Sequence, residues 1–143
     1  MKPTVSATAE LTYRLDSTKD LEKIVNGVLE RSALILQPYV ESIEPDGEIS
    51  LIYFKVAGKI RYSHSVMKKA KRGEYRVQEE FGGSVEKFNP SSDAMNAAKK
   101  ALDAIPHEWA YARVDLVDWT TRPKVGELEL IEPELFFRLH SDA

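Results

Sequence analysis

Near the end of the chain, three carboxylates and a guanidinium have a spacing that chemistry can use. Arg113 and Asp115 stand two apart in Tyr111-Ala-Arg-Val-Asp115. Glu127 and Glu129 stand two apart in Gly126-Glu-Leu-Glu-Leu-Ile-Glu-Pro133. In an extended strand, residues two apart share a face. Ala110, Ala112, Val114 and Leu116 take the other face of the first run, and Leu128 and Leu130 that of the second. Pairing the runs antiparallel about residues 118–123 sets Asp115 roughly across from Glu127 and Glu129, with Cβ atoms about 4.5–5.5 Å apart. Carboxylates so placed repel unless something cationic sits among them. Hard oxygen ligands suit Mg²⁺ or Mn²⁺, often shared with substrate phosphates. The same pattern also describes a solvent-facing polar hairpin with Arg113 neutralising part of the charge, because an amphipathic hairpin always has a polar face. Spacing alone leaves both readings open.

Composition narrows what such a site can belong to. The 143 residues are 43% hydrophobic and carry 20 basic and 23 acidic side chains, a net charge of −3. That suffices for one core without staples, or one domain plus a small lobe, and it excludes a disordered chain. With no Cys there is no thiolate nucleophile, thiolate metal site or disulfide framework. The negative balance argues against a nucleic-acid binder. No apolar run approaches the ~18 residues of a membrane helix, and Met1-Lys2-Pro3-Thr4 lacks a signal-peptide core. A soluble, cytoplasmic domain is expected.

The elements that must position the acids read as α+β, with several antiparallel strands and two helices. A short strand is expected over 11–15. Ser17 and Asp20 form a helix start, followed by the stripe Leu21, Ile24, Val25, Val28 and Leu29. A strand over 33–40 is interrupted at Gln37-Pro38. Residues 42–47 read as a polar loop. Runs 49–57 and 60–67 form a hairpin turning at Gly58-Lys59. Residues 68–73 read as a basic loop, 75–79 as a short strand and 81–83 as a break. A second helix opens at 89–93 with Ser91 or Ser92 as cap, buries Met95, Ala98, Leu102 and Ile105, and closes at Pro106. Strands over 110–117 and 125–131 complete the pattern.

Several residue groups have plain readings. The run Lys68-Lys69-Ala70-Lys71-Arg72 resembles an ordinary solvated loop. His64, His107 and His140 share no metal spacing and read as structural or exposed, with His64 able to line a cleft. Trp109 and Trp119 read as packing residues, and Gly82-Gly83 as a turn or a close backbone approach.

Taken together, the motifs resemble the ATP-grasp carboxylate–amine ligases, and within them enzymes similar to prokaryotic glutathione synthetase and the cycloserine-pathway ligase. Besides the acidic strands, other stretches stand in the family's order. Met1-Lys2-Pro3 looks like a strand end bearing a lysine. Residues 4–13 stand where a phosphate-covering loop belongs. Gln37-Pro-Tyr-Val40 looks like an adenine hinge, and Gly47-Glu48-Ile-Ser-Leu-Ile-Tyr-Phe54 like a strand whose first acid binds ribose. Tyr62-Ser-His-Ser-Val-Met-Lys68 and Arg76-Val-Gln-Glu-Glu-Phe-Gly-Gly83 look like the segment facing the phosphates.

The resemblance implies an ATP- and Mg²⁺-dependent (or Mn²⁺-dependent) ligase domain that joins a small-molecule carboxylate to an amine through an acyl phosphate. It implies a partial small ATP lobe over 1–40 and a C-terminal ATP-grasp-like lobe over 41–143. Lys2 and Lys68 would contact phosphates, Gln37, Tyr39 and Val40 adenine, and Glu48 ribose. Tyr39 would form a wall of the adenine pocket. Arg76 and Arg113 would serve the transferring centre, and Asp115, Glu127 and Glu129 would hold the metal. Many members carry Asn where Glu129 stands; the cycloserine-type pattern carries Glu. A substrate-binding domain and the first part of the small lobe normally precede the Lys2 position. The expectation is therefore a truncated or partial unit, or a short protein that needs an N-terminal partner. An unpaired sheet edge would favour a homo-oligomer. The alternative is a non-catalytic nucleotide- or metal-binding module, or partner subunit, that kept the fold.

Overall fold

The computed structural model describes residues 1–4, 11–29, 33–71, 77 and 82–141. The chain divides into two units, Met1–Tyr39 and Val40–Ala143. Helices and antiparallel sheets occur together, which makes the fold α+β. Among the described residues, no helix is long and apolar enough to cross a membrane.

In the first unit, β1 (Lys2–Pro3) pairs antiparallel with β2 (Leu34–Ile35). Between them runs α1 (Thr18–Leu29). Ser17 Oγ caps it by accepting from the Asp20 N–H at 3.3 Å, and its hydroxyl donates to Asp20 Oδ2 at 2.8 Å. Val28 of the expected stripe is buried and Leu21, Ile24 and Val25 are half-buried. The strand expected over 11–15 does not form. Leu11 turns the backbone at φ +57°, and Met1 and Tyr13 exchange two hydrogen bonds of 2.9 Å.

In the second unit, a single helical turn α2 (Ile43–Asp46) occupies the expected loop and leads into β3 (Glu48–Val56) and β4 (Lys59–Lys69). Their turn is Ala57-Gly58, one residue earlier than expected, with φ of +50° and +74°. Two successive left-handed residues match the strand twist of a tight hairpin. Gly47, at φ +76°, precedes β3, and a Cβ there would lie 2.3 Å from the Lys68 carbonyl oxygen. Only glycine allows β3 to start so close to the end of β4.

The basic loop expected from 68 begins too early, because Lys68 and Lys69 belong to β4. The strand expected over 75–79 lies almost wholly outside the described residues. A strand not anticipated, β5 (Ser84–Lys87), pairs with the end of β4. Then come α3 (Ser92–Asp103), β6 (Tyr111–Val117), β7 (Lys124–Glu129) and a 3-10 turn at Phe137–Leu139. The sheet order is β5-β4-β3-β6-β7, antiparallel throughout.

α3 covers one face of this sheet. Ser91 caps it by accepting the Ala94 N–H at 3.2 Å. Ala94, Ala98 and Leu102, at i, i+4 and i+8, pack against Ile49, Leu51, Tyr53, Ala112, Val114 and Leu116. The two tryptophans pack at the margin of this core. On the other face Ile52 and Val66 pack against Phe136 of the C-terminal segment, with Leu135 and Leu139 beside it. Phe54 and Val85 join that cluster, and the same face carries the acids.

Candidate functional site

Register explains why the acids meet. Ser50 of β3 pairs with Asp115 of β6, and Glu48 of β3 pairs with Lys68 of β4. On the other side of β6, Arg113 pairs with Glu129 and Asp115 with Glu127. Next in register, Leu116 pairs with Val125, so Gly126 is the extra residue of a β-bulge. The bulge keeps Glu127 on the same face as Asp115 and Val125 on the face of Leu116. The alternation argued from the sequence therefore holds for Arg113, Asp115, Glu127 and Glu129.

Asp115 is the centre. It is 1% exposed, and its oxygens are fully engaged. Ser50 Oγ donates to Oδ1 at 2.6 Å and Lys68 Nζ to Oδ2 at 3.2 Å. Arg113 Nε sits 3.0 and 3.1 Å from the two oxygens, and its Nη2 lies 3.0 Å from Oδ2. Lys68 also forms an ion pair with Glu48, and Arg113 one with Glu129.

Burial alone would favour neutral groups here, and the charges on the neighbours decide the outcome. For Asp115, burial pushes the pKa up, but Lys68, Arg113 and the Ser50 hydroxyl outweigh it and hold the group below the usual carboxylate value. For Lys68, burial opposes the charge and Asp115 and Glu48 overcome it, leaving the ammonium above its ordinary value. Arg113 is raised in the same way, its desolvation outweighed by Asp115 and Glu129. Glu48 is raised by burial, which Lys68 offsets only in part. Glu129 is raised too, by burial against the pull of Arg113 and with a push from Asp115 and Glu127.

Carboxylate oxygens of Asp115, Glu127 and Glu129 lie within 4.8 Å of one another. Glu127 is exposed and Glu129 half-buried, so the group opens to solvent on the β7 side. Four carboxylates meet two cations, which leaves a formal surplus of two negative charges. An octahedral Mg²⁺ with bonds of 2.0–2.1 Å spaces its ligand oxygens about 3–4.2 Å apart.

The other expected site residues fall elsewhere. Lys2, Gln37 and Tyr39 belong to the first unit, where the Arg14 guanidinium stands 4.1 Å above the Tyr39 ring. Val40 opens the second unit. Arg76 lies outside the described residues. Glu48 and Lys68, expected on ribose and phosphate, are paired with each other beside Asp115, and Lys68 is only 8% exposed.

Two features were missed in the sequence. Ser50 supports Asp115, and its parity with Glu48 in β3 was the available signal. His64 and His140, 76 residues apart, meet with ring centroids 4.4 Å apart and planes tilted by 33°. No spacing rule reveals that pair. No family model, curated protein or solved structure matches the chain.

Proposed function

We propose that the chain is an ATP- and Mg²⁺-dependent ligase domain of the ATP-grasp type. The observation that carries this reading is the convergence of Asp115, Glu127 and Glu129 beside Lys68 and Arg113, with a negative surplus that one divalent cation would cancel. The order of the motifs along the chain supports it.

In this reading Asp115, Glu127 and Glu129 hold the metal, and the ion, when bound, offsets charge on phosphate oxygens. The γ-phosphoryl group passes to a substrate carboxylate oxygen and ADP leaves. An amine then attacks the acyl carbon and phosphate departs. Such chemistry needs positioning and charge neutralisation more than a nucleophile, which suits a chain without Cys. Arg113, held between Asp115 and Glu129, faces the transferring group. Lys68 fixes Asp115 and Glu48 in place.

One observation favours the non-catalytic alternative, a nucleotide- or metal-binding module. Lys68, expected on phosphate, and Arg113, expected at the transferring centre, are already held in buried or half-buried ion pairs. A thermal-shift titration separates the readings. A ligand at ~100 times its dissociation constant adds ~2.7 kcal/mol. A shift with ATP and Mg²⁺, together with ADP formation when carboxylate and amine substrates are supplied, supports the ligase. A shift without turnover supports the module. Millimolar nucleotide with no shift removes both.

A further inference from the structure

We propose that Ser50 is a positioning residue for the metal: its hydroxyl holds the Asp115 carboxylate in place when the ion loosens the cations around it. The inference rests on the metal-holding part of the proposed function. Ser50 is fully buried in β3, and its neighbours Ile49 and Leu51 turn into the core under α3. The Ser50 side chain therefore takes the acid face, where Oγ donates to Asp115 Oδ1 at 2.6 Å. A serine hydroxyl has one proton to donate, and here Asp115 takes it.

Asp115 has three side-chain partners among the described residues, and Ser50 is the neutral one. Lys68 Nζ reaches Oδ2 at 3.2 Å, and Arg113 Nε lies 3.0 and 3.1 Å from the two oxygens. Both of these partners carry positive charge. A divalent cation entering among Asp115, Glu127 and Glu129 repels them and competes for the same lone pairs. Its arrival therefore weakens their hold on the carboxylate. The hydroxyl adds no net charge, so it stays bonded to a carboxylate that also binds the ion. Carboxylates that ligate metals are held by such hydrogen bonds from behind the ligand set. Without one, rotation of an Asp carboxyl about Cβ–Cγ is soft. Ser50 thus matters less while Lys68 and Arg113 grip Asp115, and most once the ion is bound. With alanine in its place, the loaded carboxylate is free to turn out of line with Glu127 and Glu129.

Mn²⁺ titration of the full chain, followed by electron paramagnetic resonance, tests the assignment. Ser50→Ala should bind Mn²⁺ at least about tenfold more weakly, the loss typical of a missing support behind a metal ligand. Ser50→Cys keeps nearly the same volume and donates weakly through S–H, so its affinity should fall between the two. Ser65→Ala supplies the control. Ser65 is as buried as Ser50, and its Oγ donates to the Phe88 carbonyl at 2.7 Å, outside the acidic group. Its removal should lower stability and leave the Mn²⁺ affinity at the wild-type value. Wild-type affinity in Ser50→Ala overturns the assignment. So does an equal loss in Ser65→Ala, which would mark a general loosening of the sheet. If Ser50→Ala does not fold, Ser50→Cys carries the test, and wild-type affinity there overturns the assignment in the same way. A wild-type chain that takes up no Mn²⁺ fails one step earlier, and removes the metal reading together with the role of Ser50.

Discussion

Lys68 and Asp115 form a buried ion pair between strands that do not touch. β4 and β6 flank β3, and the lysine reaches over that strand to place Nζ 3.2 Å from Oδ2. The pair ties three strands together on the face away from α3. It also decides how the acidic group behaves, because Lys68 is the only cation that Asp115 shares with Glu48 at ion-pair distance among the described residues.

Removing that cation should be costly. Breaking one partner from a buried pair leaves an uncompensated charge, worth about 3–5 kcal/mol. Lys68→Met should lower the urea midpoint by that equivalent with little change in slope. Lys68→Met combined with Asp115→Asn should recover part of the loss. A cost below ~1 kcal/mol for Lys68→Met would show that solvent, not the lysine, compensates Asp115.

Arg113 is set to compete with a metal. Its guanidinium binds both Asp115 and Glu129, two of the three carboxylates that converge. Arg113→Gln frees their oxygens and deepens the local negative surplus. Mn²⁺ should therefore bind the variant about tenfold tighter, a difference of ~1.4 kcal/mol. Titration followed by electron paramagnetic resonance, with the fold checked by circular dichroism, reads this directly. Weaker or equal binding would place the metal elsewhere or make the arginine part of its support.

How much of this was legible beforehand depends on the range of the interactions. The parity of Arg113 with Asp115 and of Glu127 with Glu129 follows from strand alternation, and the hairpin between them is local. Ser91 and Ser17 were readable as caps because capping is a matter of three or four residues. That Ser50, Glu48 and Lys68 meet Asp115 was not readable beyond the shared parity of Ser50 and Glu48. It depends on β3 pairing with β6 across more than 60 residues, and no local pattern encodes that neighbour. Lys68 in particular looks like the start of a solvated basic run. Its burial follows from β4 running two residues beyond Met67, where Gly47 lets β3 begin alongside. The His64–His140 ring contact has the same origin, since it requires the segment after β7 to return across β4.

Gly47 and Gly58 provide a paired test of that start. Both have positive φ, +76° and +74°. An added Cβ at Gly58 meets nothing within 4 Å, whereas at Gly47 it meets the Lys68 carbonyl at 2.3 Å. Gly58→Ala should cost about 1–2 kcal/mol, the conformational penalty alone. Gly47→Ala should cost clearly more and should also disturb the Glu48–Lys68 pair, because the backbone beside it must shift. Chemical denaturation of both variants checks the order. Equal costs would mean that β3 and β4 separate freely at this end.

Tyr53 offers a prediction about pH in the opposite core. Its side chain is buried under α3, and among the described residues its hydroxyl has no hydrogen-bond partner. Burial, with a smaller push from Tyr62, raises its pKa from 10.0 to about 12. An acid whose folded pKa lies above the unfolded one favours the fold while protonated. That advantage is complete below pH 10 and declines as pH rises through about 12, at about 1.4 kcal/mol per unit. Tyr53→Phe removes the ionisation and an unsatisfied buried hydroxyl together. At pH 7 it should be neutral or stabilising by up to about 1 kcal/mol. Between pH 10 and 12 its stability should decline less steeply than that of the wild type. A loss above ~1 kcal/mol at pH 7 would mean that the hydroxyl is hydrogen-bonded in solution, and parallel alkaline curves would assign the steep decline to another group.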